Sequence, residues 1–239
     1  MLQKKEVVNL FFYTDSIGFP RKKDQRPGIT WPFILKDLLE THCGVRVYPY
    51  IRGLGGGTIT DIERIFNRDT GYFIGDKASF SFAVFNVGIV DAAPRPFTYH
   101  LKKLSALPFI GRYVSLLINK VLHQYRRVLQ KIYFIRLTTP SEFERVFNRM
   151  VCHLNNAGIT SISIDTPLTP ISLEERSPGL RQSIVVYNKI KHRNSSVIHV
   201  STDWVVDEHY MDCGHHFSEL GHTELAQRLY LQIKAVMNG

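Results

Sequence analysis

The chain has 239 residues, of which 44% are hydrophobic, and its 30 lysine and arginine residues against 21 aspartate and glutamate residues give a formal charge of +9. This length and hydrophobic content are typical of one globular domain, so we expect a single domain over 1–239. No apolar run approaches the roughly 18 residues that a transmembrane helix needs, and the N-terminus lacks the pattern of a signal peptide. Three scattered cysteines without metal-site spacing favour a reducing compartment. These features predict a soluble, cytoplasmic protein.

The excess of positive charge favours acidic partners, such as nucleic acid, anionic lipid or acidic glycan. No nucleic-acid-binding motif accompanies it, and the basic residues are not interleaved with stacking aromatic residues in a compact patch. We therefore expect no nucleic acid partner and interpret most of the charge as a solvated surface.

Apolar segments alternate with amphipathic segments along the chain. The predicted strands are 6–13, 45–50, 81–88, 159–165 and 196–200, and the predicted helices are about 31–42, 59–68, 112–130, 141–157, 178–192 and 218–237. This alternation predicts an α/β fold: a doubly wound sheet of about five parallel strands with helices on both faces.

One segment, at about 94–136, is longer than a crossover between strands requires. It is rich in lysine and arginine from Lys102 to Arg136, with leucine, isoleucine, valine and phenylalanine interspersed. One interpretation is a helical excursion that packs on the sheet with its charges in water. The other is a basic amphipathic surface that contacts an anionic membrane or a lipid-linked glycan.

The first candidate motif runs from Tyr13 to Gly18 and follows the first predicted strand. It places Ser16 at the carboxyl end of that strand, which is where open α/β sheets bind ligands. A serine hydroxyl is a poor nucleophile until a neighbouring base accepts its proton.

The second candidate motif, 212–218, contains a carboxylate and two imidazoles just before an amphipathic helix. Asp212, His215 and His216 offer a base and a group that orients it. Together with Ser16 they supply the three roles of a catalytic triad. A zinc site formed by Asp212, Cys213, His215 and His222 is the weaker alternative, because structural zinc usually takes ligands at paired spacings.

Two further motifs lie between these ends. The segment 52–58 is rich in glycine and precedes a predicted helix, so its backbone N–H groups can approach a ligand. It lacks the Lys-Ser/Thr ending of a phosphate-binding P-loop. The segment 85–91 ends the third predicted strand in a turn that carries Asp91.

These four motifs resemble, in order and spacing, the four conserved blocks of the SGNH, or GDSL-like, hydrolases across nearly the whole chain. The segment 14–16 resembles the Gly-Asp-Ser block, Gly56 falls on the oxyanion glycine, 88–91 resembles Gly-x-Asn-Asp, and 212–222 resembles the His-containing block. The resemblance implies a three-layer, flavodoxin-like fold and a Ser-His-Asp esterase without metal or cofactor. The run 90–95 also resembles members associated with bacterial surface-polysaccharide biosynthesis.

Two departures from the family pattern affect the predicted site. The family's oxyanion asparagine is replaced by Val90, which has no side-chain donor, and Arg95 is the nearest candidate replacement. In the last block His216 fits the downstream spacing, but the residue three positions before it is Cys213. Asp212 lies three positions before His215 instead.

We therefore predict that Ser16 attacks an ester, His216 is the base with His215 as the alternative, and Asp212 orients it. The N–H groups of Ser16 and Gly56 form the oxyanion hole, with Val90, Asp91 and Arg95 on the oxyanion and substrate side. Asp15 and Asp91 are also expected to cap turns. The predicted substrate is an acylated carbohydrate, with acetyl as the expected acyl group. Two alternatives remain: an O-acyltransferase that uses the same serine, and a catalytically weak relative that binds a glycan or a partner.

Overall fold

The computed structural model describes residues 6–19, 29–73, 78–94 and 136–239. Five parallel strands form one sheet in the spatial order β2-β1-β3-β4-β5. The strands are β1 Val7–Thr14, β2 Arg46–Gly53, β3 Phe80–Asn86, β4 Thr160–Ile164 and β5 Ile198–Val200. This is the strand order of the flavodoxin-like, doubly wound fold, so the predicted fold class is confirmed.

Seven α-helices accompany the sheet in the described residues. They are α1 Trp31–Cys43, α2 Ile59–Phe73, α3 Ile89–Ala92, α4 Pro140–Asn156, α5 Ile171–Arg176, α6 Leu180–His192 and α7 Glu219–Asn238. Short 3-10 turns at Ser16–Gly18 and Asp207–His209 complete the elements. No helix in these ranges is both long and apolar enough to cross a lipid bilayer.

Strand β1, the second in the spatial order, is buried on both faces of the sheet. Residues 8–16 are all buried, because both faces of a parallel strand are covered by helices. On one side Phe12 packs edge-on against Trp31 of α1, with ring centroids 5.1 Å apart. On the other side Tyr13 contacts Phe66 of α2 at 5.3 Å. Apolar burial of this extent is the dominant favourable term in folding.

Most of the predicted elements are found within a few residues of their expected ends. Helix α2 continues to Phe73 rather than ending near residue 68, because a helix tolerates a glycine such as Gly71 at a cost of about 1 kcal/mol. The helices α3 and α5 were not predicted, since four and six residues are too few to establish a helical period. The predicted helix 112–130 and nearly all of the basic excursion 94–136 lie outside the described residues.

The topology creates one natural binding edge. From β1 the chain proceeds to β2 on one side, and β3 then pairs with β1 on the other side. The carboxyl end of β1 is therefore a topological switch point, where loops from both directions leave a crevice. The turn that carries Ser16 begins directly after Thr14, the last residue of β1.

Candidate active site

Ser16 is held in a tight turn at the carboxyl end of β1. The Asp15 side chain caps this turn, because its Oδ1 accepts a hydrogen bond of 3.0 Å from the backbone N–H of Ile17. The turn needs glycine at position 18, since a Cβ there would lie 2.6 Å from Thr14 Oγ1. The backbone around Ser16 is thus fixed from both sides, and the serine is only 8% exposed.

His216 is positioned by the loop that precedes α7. Its backbone carbonyl accepts a hydrogen bond of 2.8 Å from Met211 N–H, and an isolated bridge joins the flanking residues Tyr210 and Phe217. Ser218 then caps α7 by accepting a hydrogen bond from Gly221 N–H. The loop is therefore closed on itself before the helix begins, and His216 is 3% exposed.

The fold brings Ser16 and His216 together from opposite ends of the chain. Ser16 Oγ lies 2.9 Å from His216 Nε2, within hydrogen-bond distance. This is the separation required for a base that accepts the proton of a nucleophilic hydroxyl. The alternative base, His215, is not the one that contacts the serine: its Nδ1 hydrogen-bonds to the backbone carbonyl of Cys213 at 3.0 Å.

The prediction that Asp212 orients His216 is corrected by the structure. The second ring nitrogen of His216, Nδ1, lies 3.1 Å from Cys213 Sγ. Asp212 is exposed, and none of its hydrogen bonds within the described residues reaches His216. The physical reason is the spacing, because the position three residues before His216, which the loop turns towards the ring, is occupied by Cys213. A thiol group stands where the resemblance implied a carboxylate.

The glycine-rich loop after β2 is held beside the Ser16 turn. Leu54 N–H donates a hydrogen bond of 3.2 Å to Thr14 O, and a Cβ on Gly53 would lie 2.6 Å from that same oxygen. Gly56 follows in the left-handed region, with φ of 73°, and is exposed. The loop thus runs past the carboxyl end of β1, with residues 54–56 exposed to solvent.

The third motif places the Asp91 carboxylate inside the fold. Asp91 is completely buried, and its carboxylate accepts hydrogen bonds of 3.1 and 3.2 Å from Ile59 N–H at the start of α2. The buried Asp91 carboxylate thus caps the start of α2, which agrees with its expected capping role, whereas its place on the substrate side stays a prediction. Val90 lies beside it in α3 and is 7% exposed. Arg95 lies outside the described residues.

A set of buried charges lies beneath the site. Burial raises the pKa of Asp15 to about 7 and that of Asp91 to about 6, and it lowers the pKa of Lys191 to about 8. The Lys191 ammonium donates hydrogen bonds to Ile164 O at 2.7 Å and Val87 O at 3.4 Å. Lys191 is not among the predicted site residues, although its spacing of four and seven residues from the buried Tyr187 and Ile184 places it on the apolar face of α6.

His222 is a packing residue, in agreement with its predicted position on the last helix. It is 2% exposed, and its Nδ1 accepts a hydrogen bond of 3.4 Å from Trp31 N–H at the start of α1. The alternative zinc site is not assembled as predicted, because the ligand atoms of Asp212 and His222 are not grouped with those of Cys213 and His215. The ligand atoms that do lie within 4.8 Å of one another are those of Cys213, His215 and His216, and His216 is already engaged with Ser16.

Comparison with known proteins finds similarity at the level of structure alone. No protein-family model and no curated protein matches the chain. A lipase/acylhydrolase from Enterococcus faecalis is similar, with a TM-score of 0.61, 16% identity and 96% coverage of both chains. An acetylxylan esterase from Geobacillus stearothermophilus has a TM-score of 0.57 and 16% identity over 95% of this chain and 94% of its own. A G-D-S-L family protein from Desulfitobacterium hafniense has a TM-score of 0.56 and 14% identity, covering 95% of this chain and 98% of its own. The chain therefore has the fold of these proteins over nearly its whole length.

Proposed function

We propose that the protein is a serine ester hydrolase of the SGNH type, in which Ser16 is the nucleophile and His216 is the general base. The observation that carries this proposal is the 2.9 Å contact between Ser16 Oγ and His216 Nε2 at the switch point of the sheet. The two residues are 200 positions apart and both are buried, so their contact depends on the fold as a whole. The structural similarity to an acylhydrolase and an acetylxylan esterase supports the same reaction class.

The proposed reaction has two stages. His216 Nε2 accepts the hydroxyl proton while Ser16 Oγ bonds to the ester carbonyl carbon, which gives a tetrahedral oxyanion. The oxyanion collapses, the bond to the alcohol oxygen breaks, and the imidazolium returns the proton to that oxygen. A water molecule then attacks the acyl-serine with the same base, which releases the acid and restores the Ser16 hydroxyl.

Cys213 takes the place of the carboxylate in this mechanism. His216 can accept a proton at Nε2 only if the neutral ring carries its hydrogen on Nδ1, and Cys213 Sγ at 3.1 Å accepts a hydrogen bond from that position. Sulfur is a weak acceptor and a thiol carries no charge to stabilise the imidazolium. We therefore expect a correctly oriented base with less electrostatic support than an aspartate would give.

Two backbone groups form the proposed oxyanion hole, the N–H of Ser16 and the N–H of Gly56. Removal of one such donor typically costs a hundred- to thousandfold in rate. Because Val90 supplies no side-chain donor, the hole is one donor short unless Arg95 completes it. If Arg95 does not supply the missing donor, we expect slow turnover of simple esters relative to an enzyme with the complete set.

The substrate class proposed is an acylated carbohydrate, with acetyl as the acyl group. The resemblance of the motifs and the structural similarity to an acetylxylan esterase support it. The net charge of +9 favours an acidic glycan, and a lipid-linked form would be drawn to the basic segment 94–136. A cytoplasmic role in surface-polysaccharide biosynthesis belongs to the same proposal and rests on the run 90–95 and the cysteine pattern.

One alternative is favoured by a specific observation. The thiol at position 213 and the valine at position 90 both remove groups that assist catalysis, which suits a weak relative that binds a glycan or a partner.

An O-acyltransferase is the other alternative. It differs only in the second stage, where a sugar hydroxyl replaces water as the acceptor of the acyl group.

The deciding assay compares p-nitrophenyl acetate turnover by the wild-type protein with and without a sugar acceptor. Hydrolysis independent of the acceptor supports the esterase, and acceptor-dependent release with an acetylated sugar as product supports the transferase. Ser16→Ala should abolish turnover, whereas the exposed serine control Ser141→Ala should not change it. Equal rates for wild type and Ser16→Ala would reject the catalytic proposal, and glycan binding without turnover would favour the weak relative.

A further inference from the structure

Three potential metal ligands converge at the far edge of the sheet, outside the Ser16 site. Asp165 directly follows β4, His192 is the last residue of α6, and His199 is the middle residue of the edge strand β5. One ligand atom from each of them lies within 4.8 Å of the other two. Strand pairing brings Ser163 opposite His199, so Asp165, two residues further along β4, belongs to the same face of the sheet as His199.

His199 is prepared to act as a ligand through its Nδ1 atom. Its Nε2 lies 3.3 Å from Asn194 O, and because a carbonyl only accepts, Nε2 carries the hydrogen. The Nδ1 lone pair is then buried, with no hydrogen-bond partner among the described residues. Ligating histidines typically donate their other ring N–H to a carbonyl or carboxylate in this way.

His192 and Asp165 supply the other two groups. His192 Nε2 lies 2.8 and 3.0 Å from the two Asp165 carboxylate oxygens. The His192 ring stacks on the His199 ring with centroids 4.5 Å apart and an interplanar angle of 26°. The His192 side chain is 48% exposed, whereas that of Asp165 is 10% exposed. An ion can therefore enter from the solvent side, against a carboxylate that is already fixed.

We propose that Asp165, His192 and His199 bind one divalent transition-metal ion of the zinc type, with solvent completing its coordination. Ligand atoms about 2.0–2.2 Å from a tetrahedral Zn²⁺ are roughly 3.3–3.6 Å apart. Separations of up to 4.8 Å must therefore shorten, and the stacked His192 and His199 rings must rotate for both lone pairs to reach one ion. The ion would take the place of the proton that His192 shares with Asp165. This site is independent of the proposed esterase activity and departs from the expectation that the protein binds no metal.

The ligand types select the class of ion. Lys191 is adjacent to His192 in the chain, and its ammonium donates to Ile164 O, the residue before Asp165. Its positive charge opposes every divalent cation to a similar degree, so the donor atoms decide between them. Two imidazoles and one carboxylate suit zinc, cobalt or nickel, whereas Mg²⁺ and Ca²⁺ prefer sets of oxygen ligands. We expect the bound ion to fasten β5, a strand of three residues, to β4 and the end of α6.

The experiment uses the full-length protein after treatment with a chelator. Zn²⁺ affinity is measured by competition with a chromophoric chelator for wild type, His192→Ala, His199→Gln and two controls. His153→Ala removes an exposed histidine on α4, and His215→Ala removes a member of the Cys213 cluster. Loss of a group that merely supports a ligand typically costs 10- to 100-fold in metal affinity, so loss of a ligand should cost at least about 100-fold. Both ligand variants should therefore lose one bound equivalent that both controls retain.

Co²⁺ and thermal melting distinguish this site from the cysteine-containing cluster. Co²⁺ in the proposed site should give visible ligand-field absorption without a thiolate charge-transfer band, and Zn²⁺ should raise the Tm of wild type but not that of His192→Ala. The His192 side chain is about half exposed, so His192→Ala should fold and test the proposal even if His199→Gln does not fold. Unchanged Zn²⁺ stoichiometry in His192→Ala, or a loss confined to His215→Ala, would overturn the proposal.

Discussion

The Ser16–His216 site and the cluster of Asp165, His192 and His199 use similar side chains in opposite arrangements. In the first, Ser16 Oγ, the His216 ring and Cys213 Sγ form a chain, with contacts of 2.9 and 3.1 Å on the two ring nitrogens. In the second, three groups converge within 4.8 Å and one buried nitrogen has no partner among the described residues. We interpret the first arrangement as a path for proton transfer and the second as a candidate site for a cation. Arrangement, rather than residue type, separates the two chemistries.

The sites also differ in how firmly the surrounding structure holds them. Ser16 and His216 are 8% and 3% exposed and lie at the switch point, where loops from several elements enclose them. The His192 side chain is 48% exposed at the edge of the sheet. Substitutions should therefore damage the first site through both chemistry and packing, and the second mainly through loss of a ligand.

The largest expected effect is on the contact between Ser16 and His216. His216→Ala should lower kcat/KM for p-nitrophenyl acetate by about 10⁴-fold or more, because removal of a triad base typically costs several orders of magnitude. His215→Ala should lower it by less than about tenfold, since His215 contacts a backbone carbonyl and not Ser16. The reverse order of damage would assign the base to His215.

A packing change at Gly221 should lower the stability of the region that positions His216. A Cβ at Gly221 would lie 2.4 Å from His209 O, in the loop that leads to His216. Gly221→Ala should therefore destabilise the protein by about 1–3 kcal/mol, as overpacking does, although alanine normally favours a helix. Urea unfolding provides the measurement, and Thr223→Ala, two residues further along α7, is the control. A more stable Gly221→Ala protein would show that the loop is not pressed against the helix.

Acid should lower the stability of the folded protein, because the buried His222 resists protonation. Burial lowers the pKa of His222 to about 4 from its ordinary 6.5. The unfolded chain therefore binds more protons between these values, and stability is lost as the pH falls from 6.5 towards 4. At pH 5 this loss amounts to about 2 kcal/mol for one such group.

His222→Asn keeps an acceptor for Trp31 N–H and removes the titration. The variant should thus lose about 2 kcal/mol less than wild type between pH 7 and pH 5 in urea unfolding. Asp15 and Asp91 titrate in both proteins, so their contributions cancel in the difference. Equal pH dependence of the two proteins would contradict the buried, neutral state of His222.

A smaller effect tests the contact between Cys213 Sγ and His216 Nδ1. Cys213→Asp should raise kcat by roughly tenfold, because a carboxylate stabilises the imidazolium that a thiol does not. Cys213→Ala should lower kcat by a similar factor, since Nδ1 loses its acceptor. Cys152→Ala, an exposed cysteine on α4, serves as the control. A lower rate for Cys213→Asp than for Cys213→Ala would show that the thiol is not a substitute for the carboxylate.

The smallest expected effect concerns the oxyanion. Val90→Asn should raise kcat/KM several-fold if the hole lacks a donor, because an added donor without prior positioning recovers only part of the usual hundredfold. If Arg95 already supplies the donor, Arg95→Ala should be the damaging change and Val90→Asn should be neutral or harmful. Unchanged rates in both variants would reject this account of the oxyanion hole.

The sequence allowed the Ser16 site to be predicted because each half of it is a compact motif next to a clear element. Ser16 follows an apolar strand, and His216 precedes an amphipathic helix, so the α/β topology needed only to bring two ends together. The side chain beside His216 Nδ1 could not be predicted correctly, because a one-residue shift between Asp212 and Cys213 decides which of them faces the ring.

The second cluster could not be predicted for a different reason. Asp165, His192 and His199 each stand alone in the sequence, and their proximity depends on the pairing of β4 with β5 and on where α6 ends. Lys191 was missed because a charged residue on an apolar helix face is usually interpreted as solvated. The proximity of such isolated residues can be recognised only from the tertiary structure.

The central claim is that Ser16 is activated by His216, and labelling with a fluorophosphonate tests it most directly. The probe bonds to an activated serine oxygen with loss of fluoride and requires no knowledge of the substrate. Peptide mass spectrometry should locate the label on Ser16 in wild type and in His215→Ala, and find no label in His216→Ala. Labelling of another residue, or of Ser16 to the same extent without His216, would contradict the account.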